Sequence, residues 1–335
     1  MKVIEVNKLS KVYPGGIEAI RGISFDVEEG EIFGFLGPNG AGKTTTMMML
    51  TTLIKPTSGS AKVCGYDVLK NPNPVRLSIG YVSQDLAVDD SLTGWENLYL
   101  QGRFYHIPKD TMEKRIRELL ELVHLADRAD ERVENYSGGM RKRLDIAMGL
   151  IHRPKVLFLD EPTLGLDVQT RQDIWSYIAR IREENNMTIF LTTHYMEEAD
   201  NICDRIAIID HGEIKAIDTP KNLKENLGGD LITLSIKQNN VEVINLFFES
   251  IRNIEYVRDI KKSDGRYTIV ASKGEKLIPL VFNIAHEKDI EITSIILKQP
   301  TLDDVYIAYT GRELRDEEGS REDNRRMDRI LRRSR

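Results

Sequence analysis

Cysteine is almost missing from this chain. Its 335 residues include two, Cys64 and Cys203, far apart and without metal-ligand or disulfide spacing. That argues against a disulfide scaffold or a zinc site, and a reducing cytosol is the default compartment. Long apolar runs are missing too, since none approaches the roughly 18 residues that cross a bilayer. The start, Met1-Lys2-Val3-Ile4-Glu5, lacks the apolar core of a signal peptide and reads as a first strand. If the protein works at a membrane, another chain must supply the membrane part. Nor is there an excess of positive charge: 47 basic residues face 53 acidic ones, a net charge of −6. That balance argues against a non-specific hold on nucleic acid. What remains, 41% hydrophobic and 30% charged, is the composition of a globular protein with room for about two or three domains.

The most informative stretch present is Gly37-Pro38-Asn39-Gly40-Ala41-Gly42-Lys43-Thr44-Thr45. It matches G-x-x-x-x-G-K-[ST], in which small residues let successive backbone N–H groups turn inward around phosphates. Lys43 adds a point charge for the β- and γ-oxygens, and Thr44 offers a hydroxyl to Mg²⁺. The apolar run Glu31 to Leu36 suits a buried strand and Thr44 to Leu53 a helix. The loop is therefore expected at a helix N-terminus, where orphan N–H groups and the dipole favour an anion. An ordinary glycine turn would give no reason for the lysine–hydroxyl pair.

Around this motif the chain changes character several times. Residues 1 to about 30 alternate β-like runs, Val3 to Val6 and Gly22 to Val27, as an antiparallel edge. Further strands are expected around Ala61 to Asp67 and Ile79 to Val82. From 89 to 154 the periodicity is helical, with Ile116, Leu119, Leu120 and Val123 on one stripe. Val156 to Leu159 and Thr188 to Leu191 read as central parallel strands joined by a helix from Gln169 to Glu184, and a third run, Ile206 to Ile209, follows. Beyond Gly228-Gly229 the order becomes strand Leu231 to Ile236, helix Val241 to Ser250, strands Glu255 to Asp259 and Arg266 to Ala271, helix Lys276 to His286 and strand Glu291 to Leu297. This βαββαβ order is that of a ferredoxin-like domain. The expected division is thus 1–228, 229–311 and a tail, 312–335, whose nine Arg and seven acidic residues predict solvated or disordered chain.

A second set of residues narrows the chemistry. Asp160 ends an apolar strand and can hold Mg²⁺ through its water shell. Glu161, next to it, is placed to polarise an attacking water as general base. Their alternative is a helix-cap pair. His194 closes the strand Thr188 to Leu191 and can face the γ-phosphate, though alone it would be an ordinary strand-end histidine. Gln84, after Ile79 to Val82, can reach the metal or the water; in isolation it would mean nothing. Tyr136-Ser137-Gly138-Gly139-Met140 opens a helix with an apolar face of Leu144, Ala147, Met148 and Ile151. Ser137 is a good N-cap, and the two glycines allow a ligand to approach. One nucleotide needs one cradle, so this second anion site should serve a nucleotide held by another molecule.

Taken in order, the phosphate loop, Gln84, residues 136–140, Asp160-Glu161, Leu164-Gly165-Leu166-Asp167 and His194 make residues 1 to about 225 resemble the ATP-binding subunit of an ABC transporter. The resemblance implies a P-loop α/β core with an antiparallel β subdomain and a helical subdomain. It also implies ATP and Mg²⁺ as ligands, and a head-to-tail pair of subunits with two nucleotides between them. Lys43, Thr44, Gln84, Asp160, Glu161 and His194 would then serve each nucleotide from one side, and Ser137, Gly138 and Gly139 from the other. Asp167 would signal across the interface, and Tyr13 would stack on adenine, unless it is simply a buried tyrosine of the edge sheet. The implied partners are a second copy and an integral membrane permease, with the subunit on the cytoplasmic face of the membrane.

Two positions depart from the common signature: Tyr136 replaces Leu and Met140 replaces Gln, neither of them in the Ser-Gly-Gly core. Met140, the segment Leu92-Thr93-Gly94-Trp95-Glu96-Asn97-Leu98 and the ending Pro300-Thr301-Leu302-Asp303-Asp304-Val305 resemble the daunorubicin-resistance exporter branch. A rival class, ABC ATPases acting on DNA or ribosomes, usually carries two cassettes or a coiled-coil insert, and neither is present.

Overall fold

The computed structural model describes residues 1–237, 240–263 and 266–311; the tail expected at 312–335 lies outside them. The chain divides into two compact units, with the boundary between Ile217 and Asp218.

The first unit is built on a six-stranded sheet and a four-stranded one. In the larger, the phosphate-loop strand Ile32–Leu36 pairs in parallel with Thr188–Thr193 on one side and Arg205–Asp210 on the other. Thr188–Thr193 pairs in parallel with Val156–Asp160, and that strand with Ile79–Val82. These central strands are buried along almost their whole length, which is why they read as continuous apolar runs. Their C-terminal ends carry Leu36, Asp160 and Thr193, so the loops that follow gather at one edge of the sheet, the usual position for a ligand.

The smaller, antiparallel sheet is formed by Lys2–Tyr13, Ile17–Glu28, Ser58–Val63 and Tyr66–Asp67. It alternates buried and exposed residues, so one face packs inward. Phe25 from this sheet stacks on Phe33 at 5.6 Å and meets Phe35 and Phe190 at 5.4 and 6.1 Å. The aromatic cluster therefore ties the two sheets into one core.

The helical region contains Gly94–Phe104, Lys109–Leu122 and Gly138–Leu150. Thr93 and Glu96 form a reciprocal capping box that starts the first of these. Met112, Ile116, Leu119 and Leu120 bury the expected stripe of the second.

In the second unit the strands lie in the order Val257–Ser263, Arg266–Ala271, Asp230–Lys237, Glu291–Lys298, all antiparallel. Numbered along the chain this is 2-3-1-4, the ferredoxin-like arrangement. Helices Val241–Arg252 and Gly274–Glu287 contribute Phe247, Ile251, Leu277 and Val281 to its core with Ile232, Leu234 and Ile269.

Candidate functional site

The phosphate loop owes its shape to glycine at positions where no other residue fits. A Cβ on Gly37 would lie 2.2 Å from the Ile209 carbonyl oxygen, and Gly42 has a φ of 108° with Ile20 Cδ1 2.4 Å from an added Cβ. Nothing stands within 4 Å of an added Cβ at Gly40, so that side of the loop is open. The Gly37 amide donates to the Thr193 carbonyl at 3.2 Å and the Gly212 amide to Ala41 at 3.0 Å. These two bonds fix Pro38, Asn39, Gly40 and Ala41 ahead of the helix Lys43–Leu50.

Lys43 is only 4% exposed. Its ammonium donates to the carbonyls of Gly37 at 2.8 Å and Pro38 at 3.1 Å, and lies 3.1 Å from Glu161 Oε1. The His194 Nδ1 atom is 3.2 Å from Glu161 Oε2, at ion-pair distance but outside hydrogen-bond geometry. Burial alone would push the Glu161 carboxyl up; His194 and Lys43 outweigh it and hold the group below its ordinary value. Glu161 also takes a left-handed backbone, φ 45°, a strained conformation for glutamate that over-determined contacts must hold. Its amide donates to Thr192 Oγ1 at 3.0 Å.

Asp160 accepts from the Thr192 hydroxyl at 2.5 Å and the Thr44 hydroxyl at 3.2 Å. Burial pushes its carboxyl above the usual value in spite of these two donors. A buried carboxylate whose neighbours include a loop hydroxyl suits a hard divalent cation, which takes oxygen ligands and completes its shell with phosphate and water. Among the described residues no cluster of three or more acidic, histidine or cysteine side chains could hold a metal by itself. Thr44 and Asp160 thus fit Mg²⁺ carried in with a nucleotide.

Lys43, Thr44, Asp160, Glu161 and His194 therefore meet in one place, joined by Thr192. The threonine was missed in the sequence, although three polar residues, Thr192-Thr193-His194, ending an apolar strand were the available signal. Tyr13 is buried at 6%, with its hydroxyl 3.5 Å from Thr45 Oγ1 and the Lys11 ammonium 5.2 Å from its ring centre. Gln84 is exposed in the loop after Ile79–Val82.

Ser137, Gly138 and Gly139 belong to a different cluster. Ser137 caps the helix Gly138–Leu150 by accepting from the Met140 amide at 3.3 Å, and it and Gly138 are exposed. A Cβ on Gly139 would lie 2.4 Å from Thr170 Cγ2. Thr170 in turn is held by Asp167, which accepts from its amide at 2.9 Å and its hydroxyl at 2.7 Å. The serine–glycine tip and the Asp167 cap are thus packed together, facing outward.

Comparison with known proteins agrees with this geometry. Residues 20–164 match the family described as ABC transporter, and residues 219–310 match the C-terminal domain of DrrA1-3-like ATP-binding proteins. The doxorubicin resistance ATP-binding protein DrrA of Mycobacterium tuberculosis is 42% identical over 92% of this chain and 93% of its own length. The linearmycin resistance ATP-binding protein LnrL of Bacillus subtilis is 38% identical over 94% and 100%. The chain belongs to the DrrA-like ABC transporter ATP-binding proteins. Among solved structures, cbiO1 of Clostridium perfringens, part of an ABC transporter complex, aligns with a TM-score of 0.63 at 29% identity, over 66% of this chain and 90% of its own. A dimeric ATP-binding cassette in a post-hydrolysis state with ADP and Pi gives a TM-score of 0.58 at 27% identity, over 64% and 98%. The DrrA-like protein is accordingly an ATPase. Among its described residues no helix is long and apolar enough to cross a membrane.

Proposed function

We propose that this ATPase energises export of a substrate (a drug, lipid, polysaccharide or ion) through a separate membrane permease, and that two copies enclose each ATP between them. The observation that carries the reading is the separation of two phosphate-suited helix tips: one with the lysine, the metal-suited oxygens and the base, the other an exposed serine–glycine cap. The resistance functions named for the relatives support the export role.

In this reading the loop amides and Lys43 bind the triphosphate, Lys43 exchanging its Gly37 and Pro38 carbonyl partners for phosphate oxygens. Thr44 and Asp160 would hold Mg²⁺, with Gln84 as a further oxygen donor from its loop. Bound there, the ion would supply charge neutralisation on the triphosphate. Glu161 orients the attacking water and accepts its proton, and His194 fixes the carboxylate from the other side. Tyr13, buried in the edge sheet with its hydroxyl against Thr45, fits the structural role and would have to turn outward to meet the adenine. Ser137, Gly138 and Gly139 of the second copy bind the γ-phosphate across the interface, with Asp167 reporting closure. ATP binding draws the pair together, and hydrolysis with phosphate release reopens it. The permease docks near Gln84 and residues 85–105, where Leu86, Leu100 and Phe104 are exposed, Phe104 at 69%. The subunit then sits on the cytoplasmic face of the membrane.

Glu161→Gln provides the test. It is expected to bind ATP and to run as a dimer in its presence, while turnover falls by about 10²- to 10⁴-fold, the usual worth of a general base. A variant that stays monomeric with ATP bound, or that hydrolyses at the native rate, contradicts the reading.

A further inference from the structure

We propose that Lys142 and Asp145 are positioning residues that fasten the Gln84 loop to the signature helix, so that Gln84 and the Ser137 tip move as one body. The inference rests on the role given above to Gln84.

Lys142 and Asp145 lie one turn apart on the helix Gly138–Leu150, and both are buried, at 5% and 4% exposure. Such burial is rare for either residue type unless its charge is answered. The Lys142 ammonium donates to the Ser83 carbonyl at 3.0 Å and lies 3.6 Å from Asp145 Oδ2. The Asp145 Oδ1 atom accepts from the Ala87 amide at 3.4 Å. The pair thus grips the backbone immediately before Gln84 and three residues after it. Burial lowers the lysine and raises the aspartate in affinity terms, and each partially restores the other's charge.

The same helix is fixed to the strand that leads into the loop. A Cβ on Gly80 would lie 2.2 Å from the Gly149 carbonyl oxygen, so the two backbones touch with no side chain between them. Just past the helix end, His152 Nε2 lies 2.8 Å from the Ile79 carbonyl oxygen. The helix is thus anchored near its C-terminal end to the sheet strand Ile79–Val82, itself paired with Val156–Asp160, while Lys142 and Asp145 tie the loop from Ser83 to Ala87 to the part of the helix nearer the Ser137 cap. A shift of Gln84 would then be shared with that tip. None of these contacts is needed merely to bind phosphate.

The test compares Mg²⁺ dependence and turnover in four purified full-length chains: native, Gln84→Ala, the doubly substituted Lys142→Met with Asp145→Leu, and all three changes together. Replacing both members of the pair removes the loop contacts without leaving one buried charge unanswered. The double variant is expected to bind ATP without Mg²⁺ as the native chain does. Its turnover should drop about tenfold or more, with a matching rise in the Mg²⁺ needed for half-maximal rate, as for loss of an outer-shell partner. Adding Gln84→Ala should then change little, because both lesions act through one group. Native turnover in the double variant, or fold-losses that multiply in the triple, overturns the proposal while leaving Gln84 in the site. Native behaviour of Gln84→Ala alone removes Gln84 from the site, and the present inference with it. Should the double variant fail to give a cooperative thermal transition, Lys142→Met is compared with Lys142→Arg. Recovery of rate and Mg²⁺ dependence in the arginine variant supports the clamp, and equal loss in both overturns it.

Discussion

Two buried glutamates show how position decides the protonation of the same side chain. Glu161 is flanked by Lys43 at 3.1 Å and His194 at 3.2 Å, and its carboxyl is held below the ordinary value. A lowered group contributes stability above its unfolded-state pKa and loses it as pH falls through the folded value. Glu161 is thus ionised throughout the neutral range, as the general-base role proposed for it requires. Loss of ATPase rate from this group is expected only on the acid side of the ordinary carboxylate range, and a pH–rate profile that breaks near neutrality on account of Glu161 would contradict this. Glu198 is the opposite case. It is fully buried and accepts from Trp175 Nε1 at 2.9 Å and Thr163 Oγ1 at 3.0 Å. Desolvation raises it above the ordinary value, more than these donors lower it. A raised carboxyl contributes stability below its unfolded-state pKa and loses it as pH rises through the folded value. Glu198→Gln keeps an oxygen acceptor and cannot ionise. Its melting temperature should therefore fall less than the native one as pH rises from the ordinary carboxylate range, by scanning calorimetry, and identical slopes from there upward would refute the argument.

At the scale of elements, the close contact between the signature helix and its neighbouring strand depends on two glycines. In Gly80→Ala the new methyl meets backbone, the Gly149 carbonyl at 2.2 Å, which no rotamer change relieves. Helix and strand must separate, at a cost of about 1–3 kcal/mol in chemical denaturation; an unchanged midpoint would show that the two backbones do not pack this closely. That contact was not legible in the sequence, because the partners are 69 positions apart by their numbering and glycine carries no periodicity.

What was legible followed local rules. The buried strands appeared as apolar runs, the Ser137 cap and the face of Leu144, Ala147, Met148 and Ile151 lie where expected, and the βαββαβ order emerged from alternating periods. Boundaries drifted where chain closure, rather than hydrophobicity, ends an element. The phosphate-loop helix stops at Leu50, not Leu53, because Thr52 turns left-handed and the Leu53 amide reaches back to the Met48 carbonyl at 2.9 Å. The strand expected from Glu255 begins at Val257, after a turn in which its amide bonds Ile254. Short helices such as Pro72–Ser78 and Pro220–Asn226 were missed, since seven residues that begin with proline carry too little period to read. The pairing of Thr192 with Asp160 depends on parallel register between distant strands, which local pattern does not encode.

For the whole molecule, the proposed function turns on the lysine loop and the serine–glycine tip being two halves of one phosphate site that is completed only between copies. Lys43 and Glu161 lie at the C-terminal edge of the parallel sheet, while Ser137 and Gly138 are exposed beside the Asp167 cap. The account therefore predicts complementation between copies. Ser137→Arg and Lys43→Ala should each abolish ATPase activity alone. Mixed in equal amounts, they should regain activity, because a mixed pair contains one intact site made from the lysine loop of the first variant and the serine–glycine tip of the second. Steady-state ATPase of the two variants, separately and mixed, is the direct measurement. Recovery on mixing, to no more than one working site per mixed pair, is the predicted result; native activity in Ser137→Arg alone, or a mixture as inactive as its components, would contradict the shared site.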